Sequence, residues 1–360
     1  MHKIDHKPKV TIVSAVWNLY DEGRVEFFEQ MMETVHNQTY SNIEHLIVNN
    51  NSTDGTAELI DKYVQKGWAK VVFEPEQGLW HAMNRGIQEA AGEFINFMNS
   101  DDFFSTEQAV ELVMTKIQQE GADWGYGASY MVNRDNINEI YWKWIVPDWQ
   151  AIYSGKCPNH QAIFLRTSLL KKMGGFKFNP KHPYSMCDDF VTMELVFGGY
   201  VPAVIGKYIV KFRNGGASKN TNSLNTSLYV DYIMEKVGRA WGIDIKFFEM
   251  IYYEWAGNNL FSVNFRLLAS EIEKIQIPQW KSYMNEKYEE WHKAVKKPIK
   301  KSKYYLFGLI PVLKVYEYQA ATKCNLFGFL PALTTCWNEH QTKIKYYLFG
   351  IIPVWKIKRK

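Results

Sequence analysis

Residues 1–220 predict an α/β domain built on a mostly parallel sheet flanked by helices, and two observations carry that expectation. Short β-branched runs alternate with segments of helical period, the pattern of βαβ units. The apolar run at residues 94–98 then ends in Asn99, Ser100, Asp101 and Asp102, at the carboxyl end of a strand, where open α/β sheets bind ligands. The elements follow in order. Residues 9–15 and 43–48 read as buried strands, with Val25, Phe28, Met32 and Val35 marking a helical face between them. Residues 56–65 form the next helix, 70–73 a strand, and 79–90 a helix stopped by Gly92. Ser105 with Gln108 reads as a capping box that opens a helix to Gln119. Residues 124–132 and 139–145 are strands around the polar turn 133–138, and 162–165 is a further strand. Asp188 and Asp189 stand at the start of a helix running through Leu195 to Gly198.

After the loop at 214–220 the chain changes character. Residues 221–295 are expected to be mostly helical and are rich in Tyr, Trp and Phe at helix-compatible spacing. Residues 296–360 form a basic tail with an internal repeat, YYLFGLIPVLK, CNLFGFLPALT and YYLFGIIPVWK. Such self-similarity marks repeated structural units. Two readings of them stand side by side: peripheral contact with an anionic membrane, or small β-hairpins that pack on protein.

Composition sets the bounds. A chain of 360 residues holds one large domain plus an appendage. A net charge of +4 is too small to argue for nucleic acid. Four cysteines without disulfide-framework spacing, and an amino terminus without a signal core, lead to the expectation of a reduced, cytoplasmic protein. No run reaches the ~18 apolar residues of a membrane-spanning helix.

Read together, VTIVSAVWN, LIVNNNSTDGT, GLWHAMNRGIQEAAGEFINFMNSDD, NHQAIFLRTSLLKKMGGF and CDDF resemble, in order and spacing, family 2 glycosyltransferases of the GT-A fold. The resemblance covers roughly residues 9–218 and is of the bacterial surface-polysaccharide or lipopolysaccharide type. It implies an inverting transferase that moves a sugar from a nucleotide-diphosphate donor to a glycan or lipid-linked acceptor. By the same resemblance Asp102 holds Mn²⁺ or Mg²⁺ and Asp101 meets the ribose. Trp17 stacks on the base, Asp54 keeps the family's pattern, and Asn84 with Arg85 reaches the diphosphate. His160 and Gln161 face donor sugar or acceptor, while Asp189 is the base and Asp188 its orienting partner.

Where the family carries an acidic pair after the second strand, this chain has Asn49, Asn50 and Asn51. An amide both accepts and donates, which suits the imide and carbonyl of uracil better than the adjacent donors of guanine, so a UDP-sugar is expected. Plainer roles exist for the same residues. Asp54 suits the cap of the helix at 56, Arg85 a solvated helix face, Trp17 a place under its loop, and the two acidic pairs suit turns and helix starts. A non-catalytic nucleotide- or glycan-binding module is the alternative, and retention of Asp101, Asp102 and Asp189 argues against it.

Overall fold

A computed structural model describes residues 7–75, 78–154, 157–177, 188–215, 272–275 and 278–296, together with six strands between 300 and 358. The chain divides into two compact units, Met1–Ile245 and Lys246–Lys360.

The first unit is a sheet with crossover helices. Its strands are β1 (Val10–Val16), β2 (Ile43–Asn49), β3 (Lys70–Phe73), β4 (Phe94–Phe97), β5 (Phe103–Phe104), β6 (Trp124–Val132), β7 (Ile140–Trp144), β8 (Ile163–Arg166) and β9 (Ala203–Arg213). Among the described residues they form one nine-stranded sheet in the order β3-β2-β1-β4-β8-β6-β9-β5, with β7 on β6. The half made of β3, β2, β1 and β4 is parallel, as the βαβ pattern requires. The other half is mixed: β8 runs antiparallel to β4 and β6, and β9 is parallel to β6. The expectation of a mostly parallel sheet therefore holds for the first half, and β5 and β9 are strands the sequence pattern did not separate.

The crossover helices are α1 (Val25–His36), α2 (Thr56–Gln65), α3 (Leu79–Glu89) and α4 (Ala109–Glu120). Phe28, Met31, Met32 and Val35 on one stripe of α1 are buried with Val10 and Ile12 of β1, the burial that holds an amphipathic helix to a sheet. Helix α3 sits against β1 at Gly86, where a Cβ would come within 2.3 Å of Val13 Cγ1. The capping box is absent: Ser105 Oγ instead donates to the Tyr208 carbonyl of β9 at 2.7 Å, and α4 starts at Ala109. Tertiary pairing outcompetes a local cap at that residue. Helix α3 ends before Ala90, and Gly92 serves the turn into β4 by donating its N–H to Thr11 Oγ1. Among the described residues, the remaining helices of the unit are α5 (Thr167–Met173) and α6 (Asp188–Phe197).

Two buried polar groups hold the parallel half. Glu44 on β2 accepts from Thr11 Oγ1 at 2.7 Å, Lys70 Nζ at 2.8 Å and the Ala91 N–H at 3.0 Å, tying three chain segments through one carboxylate. His45, on the opposite face of β2, lies 3.0 Å from Ser14 Oγ, and burial pushes its pKa down to about 3. The unfolded chain binds a proton near pH 6.5 that the folded chain refuses until about pH 3. His45 therefore subtracts stability as pH falls through the unfolded value. At pH 4.5 that loss is about 2–3 kcal/mol, and His45→Gln is expected to remove most of it. Urea unfolding of both proteins at pH 7 and pH 4.5 measures the difference, and equal acid losses would place the sensitivity elsewhere.

In the second unit, α7 (Pro278–Lys296) buries Trp280, Tyr283 and Met284. Most of the helical region expected at 221–295 lies outside the described residues, as does the expected boundary at 220. No helix among the described residues is long and apolar enough to cross a membrane. The tail forms six antiparallel strands in sequence order: β10 (Lys300–Leu306), β11 (Ile310–Glu317), β12 (Ala321–Leu326), β13 (Leu330–Trp337), β14 (Lys343–Leu348) and β15 (Ile352–Lys358). Each repeat is one hairpin. Its proline sits two residues after the turn, and the same one-residue bulge recurs at Val312, Ala332 and Val354. The bulge lies next to the proline, where a missing N–H costs the ladder least.

Candidate active site

The carboxyl ends of β1 and β2 meet in one preformed wall. Asn18 takes a left-handed φ of 41° and Asn51 one of 54°, conformations that Asn tolerates better than most residues. Asn18 N donates to Ser52 Oγ at 3.0 Å, and Thr53 N donates back to Asn18 Oδ1 at 2.9 Å. Asn49 is buried, its Oδ1 accepting from Ser52 N at 3.1 Å, and the N–H of buried Asn50 donates to the Val16 carbonyl at 2.8 Å. Asp54 fastens the two loops together. Its Oδ2 accepts from the N–H groups of Tyr20 and Asp21, and its Oδ1 accepts from the N–H and hydroxyl of Thr56. Desolvation works against the Asp54 carboxylate, but these donors outweigh it and hold the pKa below the usual range. Every one of these bonds runs to protein, so Asp54 shapes the wall. Above it, Trp17 is 44% exposed and presents a free aromatic surface.

Beyond β4 the acidic pair divides. Asp102 is only 3% exposed and turns inward. Its Oδ1 accepts from the Arg213 N–H at 2.9 Å, while its Oδ2 accepts from Asn99 Nδ2 at 3.2 Å and from Gln161 Nε2. Burial, then the charge of Asp101, pushes the Asp102 pKa up to about 7. Asp101 keeps its carboxylate at 14% exposure, with Arg24 Nη1 3.8 Å from Oδ2. Arg213, at the end of β9, also donates to the Asp101 carbonyl and to Gln30 Oε1, pinning β9 over the acidic turn.

A short 3₁₀ turn, His160–Ala162, links this turn to the second acidic pair. Asn159 Oδ1 caps it at Gln161 N, and buried Asn96 on β4 donates to the carbonyls of Gln161 and Ile163 at 2.8 Å each. Gln161 thereby reaches Asp102, while His160 Nδ1 lies 2.8 Å from Asp188 Oδ2 at the start of α6. One polar network joins Asn99, Asp102, Gln161, His160 and Asp188. Within it three buried atoms have no partner among the described residues: Asn99 Oδ1, Gln161 Oε1 and His160 Nε2. Unmatched polar atoms of this kind are costly unless a ligand or water meets them.

The two carboxylates of α6 are driven apart. Burial raises the pKa of Asp188, but the His160 imidazole outweighs it and holds the group below the usual range. For Asp189 burial and the Asp188 charge act together, and the pKa stands well above the usual value. The thiol of buried Cys157, which burial raises, donates to the Asp189 carbonyl at 3.6 Å.

Two expected site residues lie elsewhere. Asn84 grips the Phe176 backbone at both its N–H and its carbonyl, 2.8 and 2.9 Å away, which leaves no amide group directed at a phosphate. Arg85 pairs with Glu89 at 2.8 Å on the exposed face of α3. Asp102, expected at a metal, has its oxygens engaged by protein donors. Sequence reasoning also missed Arg213 and Asn96. Only Arg213 had a visible signal, as the charged residue ending the segment AVIGKYIVKFR.

Residues 14–174, the stretch carrying the wall, the acidic turn and the His160–Gln161 segment, match the family described as glycosyl transferase family 2. Over that stretch the chain is similar to glycosyltransferase family 2. The putative glycosyltransferase EpsH of Bacillus subtilis is 33% identical to this chain over 109 residues, 30% of each protein. Glycosyltransferase GlyG of Streptococcus pneumoniae is 29% identical over 133 residues, 36% of this chain and 43% of that one. The matched segments thus span less than half of either relative. The crystal structure of TarS from S. aureus in complex with UDP-GlcNAc superposes with a TM-score of 0.53 at 16% identity, covering 82% of this chain and 94% of that one. At that identity the likeness establishes the GT-A fold of the glycosyltransferase domain and nothing finer.

Proposed function

We propose that the chain transfers a sugar, with inversion, from a UDP-sugar to a hydroxyl of a glycan or lipid-linked acceptor in bacterial surface-polysaccharide or lipopolysaccharide synthesis. The observation that carries the reading is the network that places an acidic turn at the end of β4 one residue pair, His160–Gln161, away from a second acidic pair with separated pKa values. Trp17 offers its face to the nucleobase, an interaction of ~1–3 kcal/mol in single-strand data. The preformed wall at Asn49 and Asn50 flanks it.

A divalent cation fits this turn through Asp101, whose carboxylate is 14% exposed and faces Arg24 where that of Asp102 is buried, supported by the unpartnered amide oxygen of Asn99. Mn²⁺ or Mg²⁺ bound there supplies charge neutralisation for the leaving diphosphate, with one or two carboxylates sufficing. Asp102 braces the turn from beneath by fixing Arg213 and Gln161. On the acceptor side, Asp189 takes the hydroxyl proton. Its raised pKa makes it the stronger base of the pair, and ionised Asp188, oriented by His160, supplies the neighbouring charge that raises it. Gln161 Oε1, an acceptor, and His160 Nε2 are both unpartnered and available to sugar hydroxyls. Peripheral attachment through residues 296–360 at the cytoplasmic membrane face would keep this site near a lipid-linked acceptor.

A thermal-shift titration tests the donor class. UDP with Mn²⁺ is expected to raise the melting temperature more than GDP does, since ligand linkage stabilises the state that binds. A clear GDP preference would refute the uracil reading and leave the transferase reading intact. Absence of stabilisation by any nucleotide diphosphate would remove both.

A further inference from the structure

The register of the tail sorts its residues onto two faces of opposite chemistry. Paired residues of neighbouring strands share a face and successive residues alternate, so each hairpin bulge resets the count by one. On one face lie Leu306, Ile310, Leu313, Leu326, Leu330 and Leu333 of the first two hairpins, with Leu348, Ile352, Trp355 and Ile357 of the third. The only charged residues there, Lys300 and Glu317, oppose each other.

The other face is basic. Lys303, Lys323 and Lys345 occupy the same position in the three hairpins, just before the first residue of each YYLFG-type segment. Lys314 and Lys356 follow the prolines in the first and third. Lys301, Lys343 and Lys358 extend the rows, and Tyr305, Tyr316 and Tyr347 stand among them. No Asp or Glu is on that face in any of the six strands. A face that is merely solvated mixes both signs. This one does not.

From this placement we infer that the lysine face of the six-stranded tail sheet is a docking surface for an anionic lipid bilayer. Six strands at ~4.8 Å spread the lysines over ~24 Å, a planar array matched to a field of headgroup phosphates rather than to one strand of a polymer. Tyrosines between lysines suit the same layer, where amphipathic rings settle at headgroup level. The inference rests on the peripheral attachment stated above and adds which face makes the contact.

The test is cosedimentation of the full chain with phosphatidylcholine vesicles, with and without phosphatidylglycerol. The wild-type chain is expected to pellet with the anionic vesicles only, and less at high salt. The triple variant Lys303→Gln, Lys323→Gln and Lys345→Gln should lose roughly fivefold per lysine, on the order of 100-fold in partitioning. Lys300→Gln, which removes a lysine from the opposite face, should change little, and UDP stabilisation of the triple variant serves as the folding control. Unchanged partitioning of the triple variant overturns the face assignment while leaving attachment in place. No pelleting by the wild-type chain, or equal pelleting with uncharged vesicles, overturns both, and retention on inorganic polyphosphate without vesicle binding assigns the face to a soluble polyanion instead.

Discussion

Asp189→Asn is expected to lower sugar transfer by ~10²-fold or more while leaving UDP binding unchanged, because the substitution keeps shape and removes the proton acceptor. The environment of Asp189 adds a pH signature. Its carboxyl is held well above the usual range by burial and by the Asp188 charge, so the acid limb of the kcat profile should lie above that of an ordinary carboxylate. Transfer rises as pH rises through that pKa, since only the ionised group accepts a proton. Asp188→Asn removes the neighbouring charge and should move the acid limb to lower pH, toward the ordinary value. Near-wild-type turnover in Asp189→Asn would send the search for the base to Asp188 and its His160 partner.

The second large effect separates the acidic turn into a ligand-facing and a buried half. Asp101→Asn should abolish the Mn²⁺-dependent gain in UDP affinity measured by titration calorimetry, because the less buried carboxylate of the pair is lost. Asp102→Ala should act chiefly on folding. It leaves the Arg213 N–H and the Gln161 amide without their acceptor, and each unmatched buried donor costs about 1–3 kcal/mol. A loss of metal dependence in Asp102→Ala with stability unchanged would return the metal to Asp102.

The sequence made the crossover half of the domain readable because its signals are local. Helix α2 and strands β3 and β6 begin and end where periodicity and turn residues place them, and β1, β2, β4 and β7 differ by one residue at their ends. What stayed hidden was long-range. Ser105 reads as a cap until β9, more than 100 residues away, offers it the Tyr208 carbonyl. Asn84 reads as a phosphate ligand until Phe176 supplies both a donor and an acceptor in backbone geometry. The acidic residues are legible as a motif, but which of Asp101 and Asp102 faces outward is decided by Arg213 and Gln161, neither of which is near in sequence. The tail shows the same division. Gly and Pro at fixed offsets announce hairpins, whereas the separation into apolar and lysine faces appears only when the recurring bulge is counted.

The Asp54 clip bears on how donor recognition would divide between heat and disorder. Two loops that are already fastened to each other have little freedom left to surrender when a nucleotide arrives. Cutting the clip, as in Asp54→Ala, would release that freedom in the empty protein without deleting any group aimed at the nucleotide. The weakened affinity should then register in calorimetry as a larger entropic penalty, with the enthalpy of the remaining contacts largely preserved.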